Sequence, residues 1–370
     1  MAEPAQTLAD LGEWELIRRL GAFAPPGQFA DDAALLPGVG EAGQQGRLVV
    51  NTDVLVEGLH FSDATTAPAD VGWRAAAANL SDLAAMGCTE VVGLTVGLVA
   101  PASTPWPWVA GVYTGLGEAL ERYGGVLLGG DCSGGAQRLL AITAIGRLGT
   151  CAGAAWDHAV NQDGKVGMSA AATEPGSSAW AVIRRSDGLP GDWLLCTGPH
   201  GLSQLGLALL QGALPEESAA RLDPSLRQRA IAAHRRPRPR FDAVRALIAC
   251  RPSAAPWRLG GCDSSDGLAA AAAAIAASSG CSARLERIGL PLDPAMAALP
   301  QAEAWCLGGG EDFELVLAMA PAWAEALLEV LPGSARIGEL EAGPAGNLGW
   351  SDGRPWPKPS SGIGGFQHFG

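Results

Sequence analysis

The chain has 370 residues, of which 48% are hydrophobic, and a formal net charge of −13. Single cores stop growing at roughly 250–300 residues, so two domains are expected, with enough apolar content to fill both. The acidic balance argues against nucleic acid or an anionic membrane as the main partner, but not against small anions, because bound metal ions invert the local field.

The opening MAEPAQTLADLGEWE has neither a basic start nor an apolar core, so no signal peptide is expected. No apolar run approaches the ~20 residues of a bilayer span. The eight cysteines include no CxxC pair of the zinc or redox kind, and a cytoplasmic, reduced protein is the expectation. Arg47–Thr52 (RLVVNT) reads as a strand, Pro68–Met86 as an Ala-rich helix stopped by Gly87, and Glu90–Val99 as a second strand. Trp106–Tyr123 reads as a helix ending at Gly124-Gly125, followed by strands at Val126–Leu128 and Leu139–Ile145. Gly149–Ala179 breaks the pattern: rich in Ala, Gly and Ser, it reads as an inserted flexible loop, dispensable for chemistry. Beyond it come a strand at Trp193–Thr197, helices at Leu202–Gln211 and Leu268–Ala277, a strand at Phe313–Ala320 and a helix at Pro321–Leu331. The expected fold is thus α/β of the α+β type: two mixed domains, residues 1–148 and 181–370, with an insertion at 149–180.

Acidic clusters punctuate this frame. In the first half they are Asp31-Asp32 in FADDAALL, Asp53 in NTDVLVEGLHF, Asp82 in NLSDLAAMG and Asp131 in LLGGDCSGG. The second half adds Asp263 and Asp266 in CDSSDGL, and Glu311-Asp312 in GGGEDFEL. Asp53, Asp82 and Asp131 sit beside strongly apolar segments, where a carboxylate is costly unless paired or metal-bound. Hard oxygen ligands of this kind suit Mg2+ that bridges substrate phosphates, and Asp53 and Asp131 are each expected to end a strand and to share such ions. Taken singly, each has a plainer reading: Asp31 or Asp32 as a helix cap, Asp131 as a turn residue, Asp82 as the partner of a structural arginine such as Arg74. Their joint occurrence favours the metal. No GxxxxGK[ST] occurs, so this is not a P-loop protein. GPHGLSQLG (Gly198–Gly206) follows a strand, opens a helix, and offers a weak signal for phosphate held on backbone N–H groups. The basic run Arg235–Arg240 (RRPRPR) reads as a solvated Pro-rich loop.

These motifs, in this order, resemble the thiamine-monophosphate kinase family. The resemblance runs from GEWELI (Gly12–Ile17) through the clusters above and RRSDGLPGDWLLCTG to the terminal GGFQHF, and leaves out only Gly149–Ala179. The GGED and SDGL motifs also echo aminoimidazole-ribotide synthetase and selenophosphate synthetase. The resemblance implies Mg2+ ligands at Asp32, Asn51, Thr52, Asp53, Asp82, Asp131, Asp263 and Asp266. It implies nucleotide contacts at Tyr113, Gly130, Asp131, Arg185 and Ser265, and thiamine-phosphate contacts at His60, Glu311 and Phe366. It further implies an N-terminal domain that binds ATP and Mg2+ and pairs across a homodimer, with nucleotide in the cleft between domains. The chain departs from the family pattern at Asn51, Phe29-Ala30, Cys132 and Phe366.

The implied acceptor is a phosphate oxygen. A phosphate monoester has its second pKa near ~6 and needs no strong general base. The obstacle is charge repulsion against ATP, which Mg2+ ions and Arg185 would relieve. His60 is expected to donate to the substrate phosphate, and Phe366 to pack on the cationic thiazolium. Two other readings are another ATP-using enzyme of the same superfamily, such as an aminoimidazole-ribotide synthetase or hydrogenase-maturation protein, and a non-catalytic nucleotide-binding or regulatory protein. A selenophosphate synthetase would want a reactive cysteine near the N-terminus, and none precedes Cys88; a hydrogenase-maturation protein would want a C-terminal cysteine, and the chain ends His368-Phe369-Gly370. The intact Asp32, Asp53, Asp82 and Asp131 argue against the second.

Overall fold

The computed structural model describes residues 7–36, 48–151, 180–215, 219 and 222–357. The expected insertion therefore lies outside the described residues from 152 to 179, and so does Phe366.

Helix α1 (Leu8–Leu20) starts at Thr7, whose side chain accepts the Asp10 N–H while the Asp10 carboxylate caps Thr7 in return. It carries the GEWELI motif, and none of its residues is buried. The first sheet joins β1 (Ala34–Leu35), β2 (Leu48–Val56), β3 (Cys88–Ala100), β4 (Val126–Gly134) and β5 (Leu139–Leu148) in the order β1-β2-β5-β3-β4. All pairings are antiparallel except β3 with β4. On one face lies α2 (Pro68–Ala85), whose alanines let it sit low against the strands: Ala75, Ala76, Ala77 and Ala84 are fully buried. Helix α3 (Trp106–Tyr123) crosses α2 so closely that a Cβ on Gly115 would stand 1.8 Å from the Ala69 carbonyl oxygen. Only a residue without a side chain permits that approach.

The second sheet orders its strands β11-β8-β10-β6-β9-β7: β6 (Trp193–Cys196), β7 (Gly260–Asp263), β8 (Ser282–Leu285), β9 (Leu315–Met319), β10 (Ala335–Glu341) and β11 (Leu348–Trp350). Strands β6 and β9 at its centre are apolar throughout, as strands covered on both faces require; all five residues of β9 are buried. Helices α4 (Leu202–Leu210), α5 (Pro224–Arg235), α6 (Phe241–Cys250), α7 (Leu268–Ser278), α8 (Ala302–Gly308) and α9 (Pro321–Val330) pack around it. One apolar cluster runs from Leu80, Leu94 and Ile142 of the first half into Phe241, Val244, Leu317 and Trp323 of the second. The two halves thus share buried surface, and Asp32 and Asp82 of the first meet Asp263 of the second.

The strand expected to stop at Leu128 instead continues to Gly134. Gly129-Gly130 reads as punctuation in sequence, but here it lets β4 hug β3: a Cβ on Gly130 would lie 2.0 Å from the Val96 carbonyl oxygen. No helix among the described residues is long and apolar enough to cross a membrane.

Candidate active site

Asp32 follows the first helix, Asp82 sits near the end of α2, and Asp263 ends β7 in the second half. Each offers a carboxylate oxygen, and these three oxygens lie within 4.8 Å of one another. Like charges so placed repel, and burial adds to the cost. Burial, opposed by the Arg185 guanidinium, pushes the Asp32 carboxyl up to about 7. Burial and the neighbouring Asp53 charge raise Asp82 well above the ordinary carboxylate range. Asp263 is raised by burial as well, although the Ser81 hydroxyl donates to it at 2.7 Å and the Ser265 hydroxyl at 3.1 Å.

Around this cluster the polar groups of β2 and α2 interlock. Asn51 Nδ2 donates to Asp82 at 2.6 Å, and Asn79 Oδ1 accepts the Asp53 N–H at 3.1 Å. Asn51 Oδ1 is buried and accepts no hydrogen bond. A buried oxygen without a donor, beside three crowded carboxylates, is a donor set that fits a hard divalent cation.

Arg185 arrives from the start of the second half. Its guanidinium binds the Asp32 carboxylate, and its backbone N–H donates to Asp31 at 2.9 Å. Asp31 and Asp32 thus divide the work: one holds the Arg185 backbone, the other its charge. Asp266 lies at the surface of the same loop as Asp263.

The expected acceptor residues also gather. His60 Nδ1 accepts the Val56 N–H at 3.0 Å, so the neutral ring carries its proton on Nε2, as a donor and not as a base. Glu311 adopts a left-handed backbone, φ 57°, and donates its N–H to the Ser265 carbonyl at 2.7 Å. Ser265 in turn holds Asp263, so a two-bond relay links Glu311 to the acidic cluster. Arg74 pairs with Glu311, not with Asp82.

Several sequence expectations need correction. Asp53 and Asp131 each lie inside a strand and on opposite faces of the sheet. Asp53 is in register with Ile142 and Val96, on the face that α2 covers. Asp131 is in register with Gly97 and, through it, with Ala141 and Val54 on the open face. Three strand steps separate them, about 14 Å, so within one chain they do not share an ion. Asp131 is also exposed, along with the rest of β4, and not drawn into apolar surroundings. The Thr52 hydroxyl bonds to Thr143, 2.8 Å away, on the open face and away from the cluster. Tyr113 neighbours Cys132, and burial raises its phenol. Tyr113 thus lies near β4 through Cys132, which follows Gly130 and Asp131 in that strand, while Arg185 and Ser265 belong to the acidic cluster.

The N-terminus of α4 is not a phosphate cradle. The Asp312 carboxylate already accepts the N–H groups of Gly201 at 2.6 Å and Ser203 at 3.0 Å. The basic run is not a solvated loop either. Arg236 bridges Asp70 and Glu118, and Arg240 is buried against Glu314 and Asp242. The run fastens the second half to α2 and α3. Sequence reasoning passed over His234 and weighed Arg74 only as a partner of Asp82; the fold brings both to Glu311, and no spacing rule connects residues so far apart.

Comparison with known proteins agrees with this geometry. Residues 30–148 match the profile of the AIR synthase related protein N-terminal domain, and residues 190–351 that of its C-terminal domain. The fold and the acidic cleft therefore define an AIR-synthase-related protein. The chain is 42% identical to the thiamine-monophosphate kinase of Prochlorococcus marinus and 44% identical to that of Synechococcus elongatus, each match covering 98% of both chains. The thiamine-monophosphate kinase structure from Stenotrophomonas maltophilia superposes with a TM-score of 0.65 at 27% identity, over 92% of this chain and 95% of that one. The structure described as "AaThiL complexed with AMPPCP and TMP" matches with a TM-score of 0.75 at 24% identity, over 98% and 99%. The chain belongs to the thiamine-monophosphate kinase family.

Proposed function

We propose that this chain transfers the γ-phosphoryl group of ATP to the phosphate of thiamine monophosphate, giving thiamine diphosphate and ADP in thiamine diphosphate biosynthesis. The observation that carries the reading is the meeting of Asp32, Asp82 and Asp263 from three separate segments, joined through Ser265 to Glu311. An acceptor phosphate oxygen forms the new P–O bond as the bond to the β–γ bridging oxygen breaks, its electron pair leaving on ADP. The acceptor is already ionised near neutral pH, so no residue has to remove a proton. The histidines fit that chemistry: burial lowers His200 and His234 to about 4, and His60 presents a donor.

Asp32, Asp82 and Asp263 would hold magnesium ions, with Asn51 and Asp53 beside them. Bound there, magnesium supplies charge neutralisation between two polyanions. Arg185 adds a fixed positive charge at the phosphates, with Asp31 and Asp32 setting its direction. His60 and Glu311 take the acceptor, with Phe366 as a third contact in the same reading, and Asp266 adds a ligand from the loop edge.

The dimer belongs to this reading. Val126, Leu127 and Leu128 are exposed on edge strand β4. An apolar edge invites a second copy. A homodimer brings the partner subunit's Tyr113, Gly130 and Asp131 to the nucleotide, which one chain alone does not do. In domain terms, residues 1–148 bind ATP and Mg2+ and pair the subunits, 149–180 are an insertion, and 181–370 form the C-terminal domain. The profile matches at 30–148 and 190–351 support that division. We place the enzyme in the cytoplasm, without a membrane or nucleic-acid partner, in keeping with its net charge of −13.

Substrate choice tests the function. With ATP and Mg2+, the purified protein is expected to convert thiamine monophosphate to the diphosphate and to leave free thiamine nearly untouched. Equal phosphorylation of free thiamine, read by charge separation of the products, would overturn the assignment.

A further inference from the structure

Arg74 is 3% exposed, on the α2 turn preceding Asn79 and Asp82. A buried guanidinium is retained at a cost unless its partners are well placed. Its partners here are the acceptor residues. Nη2 donates to the Glu311 carboxylate and lies 3.4 Å from the His60 carbonyl oxygen, while Nη1 donates to the His234 carbonyl oxygen. His234 returns to the same carboxylate, its Nδ1 standing 3.6 Å from the other Glu311 oxygen and 3.2 Å from the Ser203 hydroxyl. One arginine therefore ties His60 from the first half to Glu311 and His234 from the second.

The asymmetry of the pair is informative. Arg74 is enclosed, but the Glu311 side chain keeps 32% of its surface open. Here the arginine holds one oxygen of a carboxylate whose side chain still meets solvent. The Glu311 backbone is left-handed, a conformation that residues with a side chain seldom hold without outside support.

We propose that Arg74 is a positioning residue: it holds the Glu311 carboxylate toward the acceptor and fixes its separation from His60, and so sets the affinity for thiamine monophosphate. The inference rests on Glu311 as an acceptor contact. Arg74 itself touches neither the nucleotide residues nor the acidic cluster. A planar fork reaches three acceptors at once, which an ammonium group does not reproduce.

Steady-state kinetics of the full-length enzyme, with each substrate varied in turn, test this. Arg74→Met is expected to raise KM for thiamine monophosphate at least about tenfold, with KM for ATP within about twofold. Arg74→Lys should recover part of the loss. In the double variant with Glu311→Gln, KM should match that of Glu311→Gln alone, because Arg74 acts through Glu311. If Arg74→Met fails to fold, Arg74→Lys carries the test, with the same selective rise expected at smaller size. Equal rises in both KM values, additive effects in the double variant, or no change in either Arg74 variant would overturn the inference. If Glu311→Gln alone leaves KM for thiamine monophosphate unchanged, the acceptor role of Glu311 fails, and the inference with it.

Discussion

Asp82→Asn should reduce turnover by about 100-fold or more while leaving a folded chain that melts no lower, without metal, than the parent. Its carboxylate is forced against Asp32 and Asp263, and Asn51 already donates to one of its oxygens. Asn keeps the shape and removes one of three repelling charges. The same residue governs a pH effect. A carboxyl whose folded pKa is raised binds its proton more tightly folded than unfolded. Its contribution favours folding at low pH and is lost as pH rises through the unfolded value, ~4, towards the folded one. For Asp32 that folded value is about 7, and Asp82 and Asp263 shift in the same direction. Metal-free protein should therefore lose melting temperature between pH 5 and pH 7.5, and Mg2+ should restore most at the upper end. In Asp82→Asn both the pH slope and the Mg2+ gain should shrink. A variant with parental turnover and an unchanged Mg2+ response would remove Asp82 from the metal site.

Mixing two inactive variants should restore activity. Asp53→Asn and Asp131→Asn each remove one carboxylate, on opposite faces of one sheet and three strand steps apart. If a working site takes Asp53 from one subunit and Asp131 from the other, each mixed dimer holds one intact site and one doubly altered site. Random reassortment then yields about one quarter of parental turnover, although each variant alone is nearly silent. If both carboxylates served one chain's own site, every site in the mixture would lack one of them, and no activity would return. Turnover after co-expression of the two chains decides between these outcomes. Parental turnover in either single variant would exclude that carboxylate from catalysis altogether.

The sequence made the chemistry legible where it is local. The apolar run RLVVNT marked β2, the Ala-rich period marked α2, and the motif order led to the family. What stayed hidden depends on partners far along the chain. RRPRPR looks solvated until Arg236 meets Asp70 and Glu118, and Arg240 meets Glu314, across more than seventy residues. The turn before α4 looks ready for phosphate until Asp312 fills it. Asp131 looks like a strand-end ligand because Gly-Gly suggests a stop; parallel pairing with β3 carries the strand through and turns the carboxylate to the open face. Register is a property of two strands, and a single strand's sequence does not reveal which face a neighbour will cover.

The central claim is phosphoryl transfer from ATP onto an existing phosphate, and phosphorus NMR of the reaction mixture tests it most directly. The account predicts that, with Mg2+, each thiamine monophosphate consumed yields one diphosphate, seen as a pair of coupled resonances, and one ADP. Orthophosphate release without a new diphosphate would mean ATP hydrolysis alone. AMP appearing in step with thiamine diphosphate made from free thiamine would mean transfer of a diphosphoryl group to a hydroxyl. Either result would contradict the account.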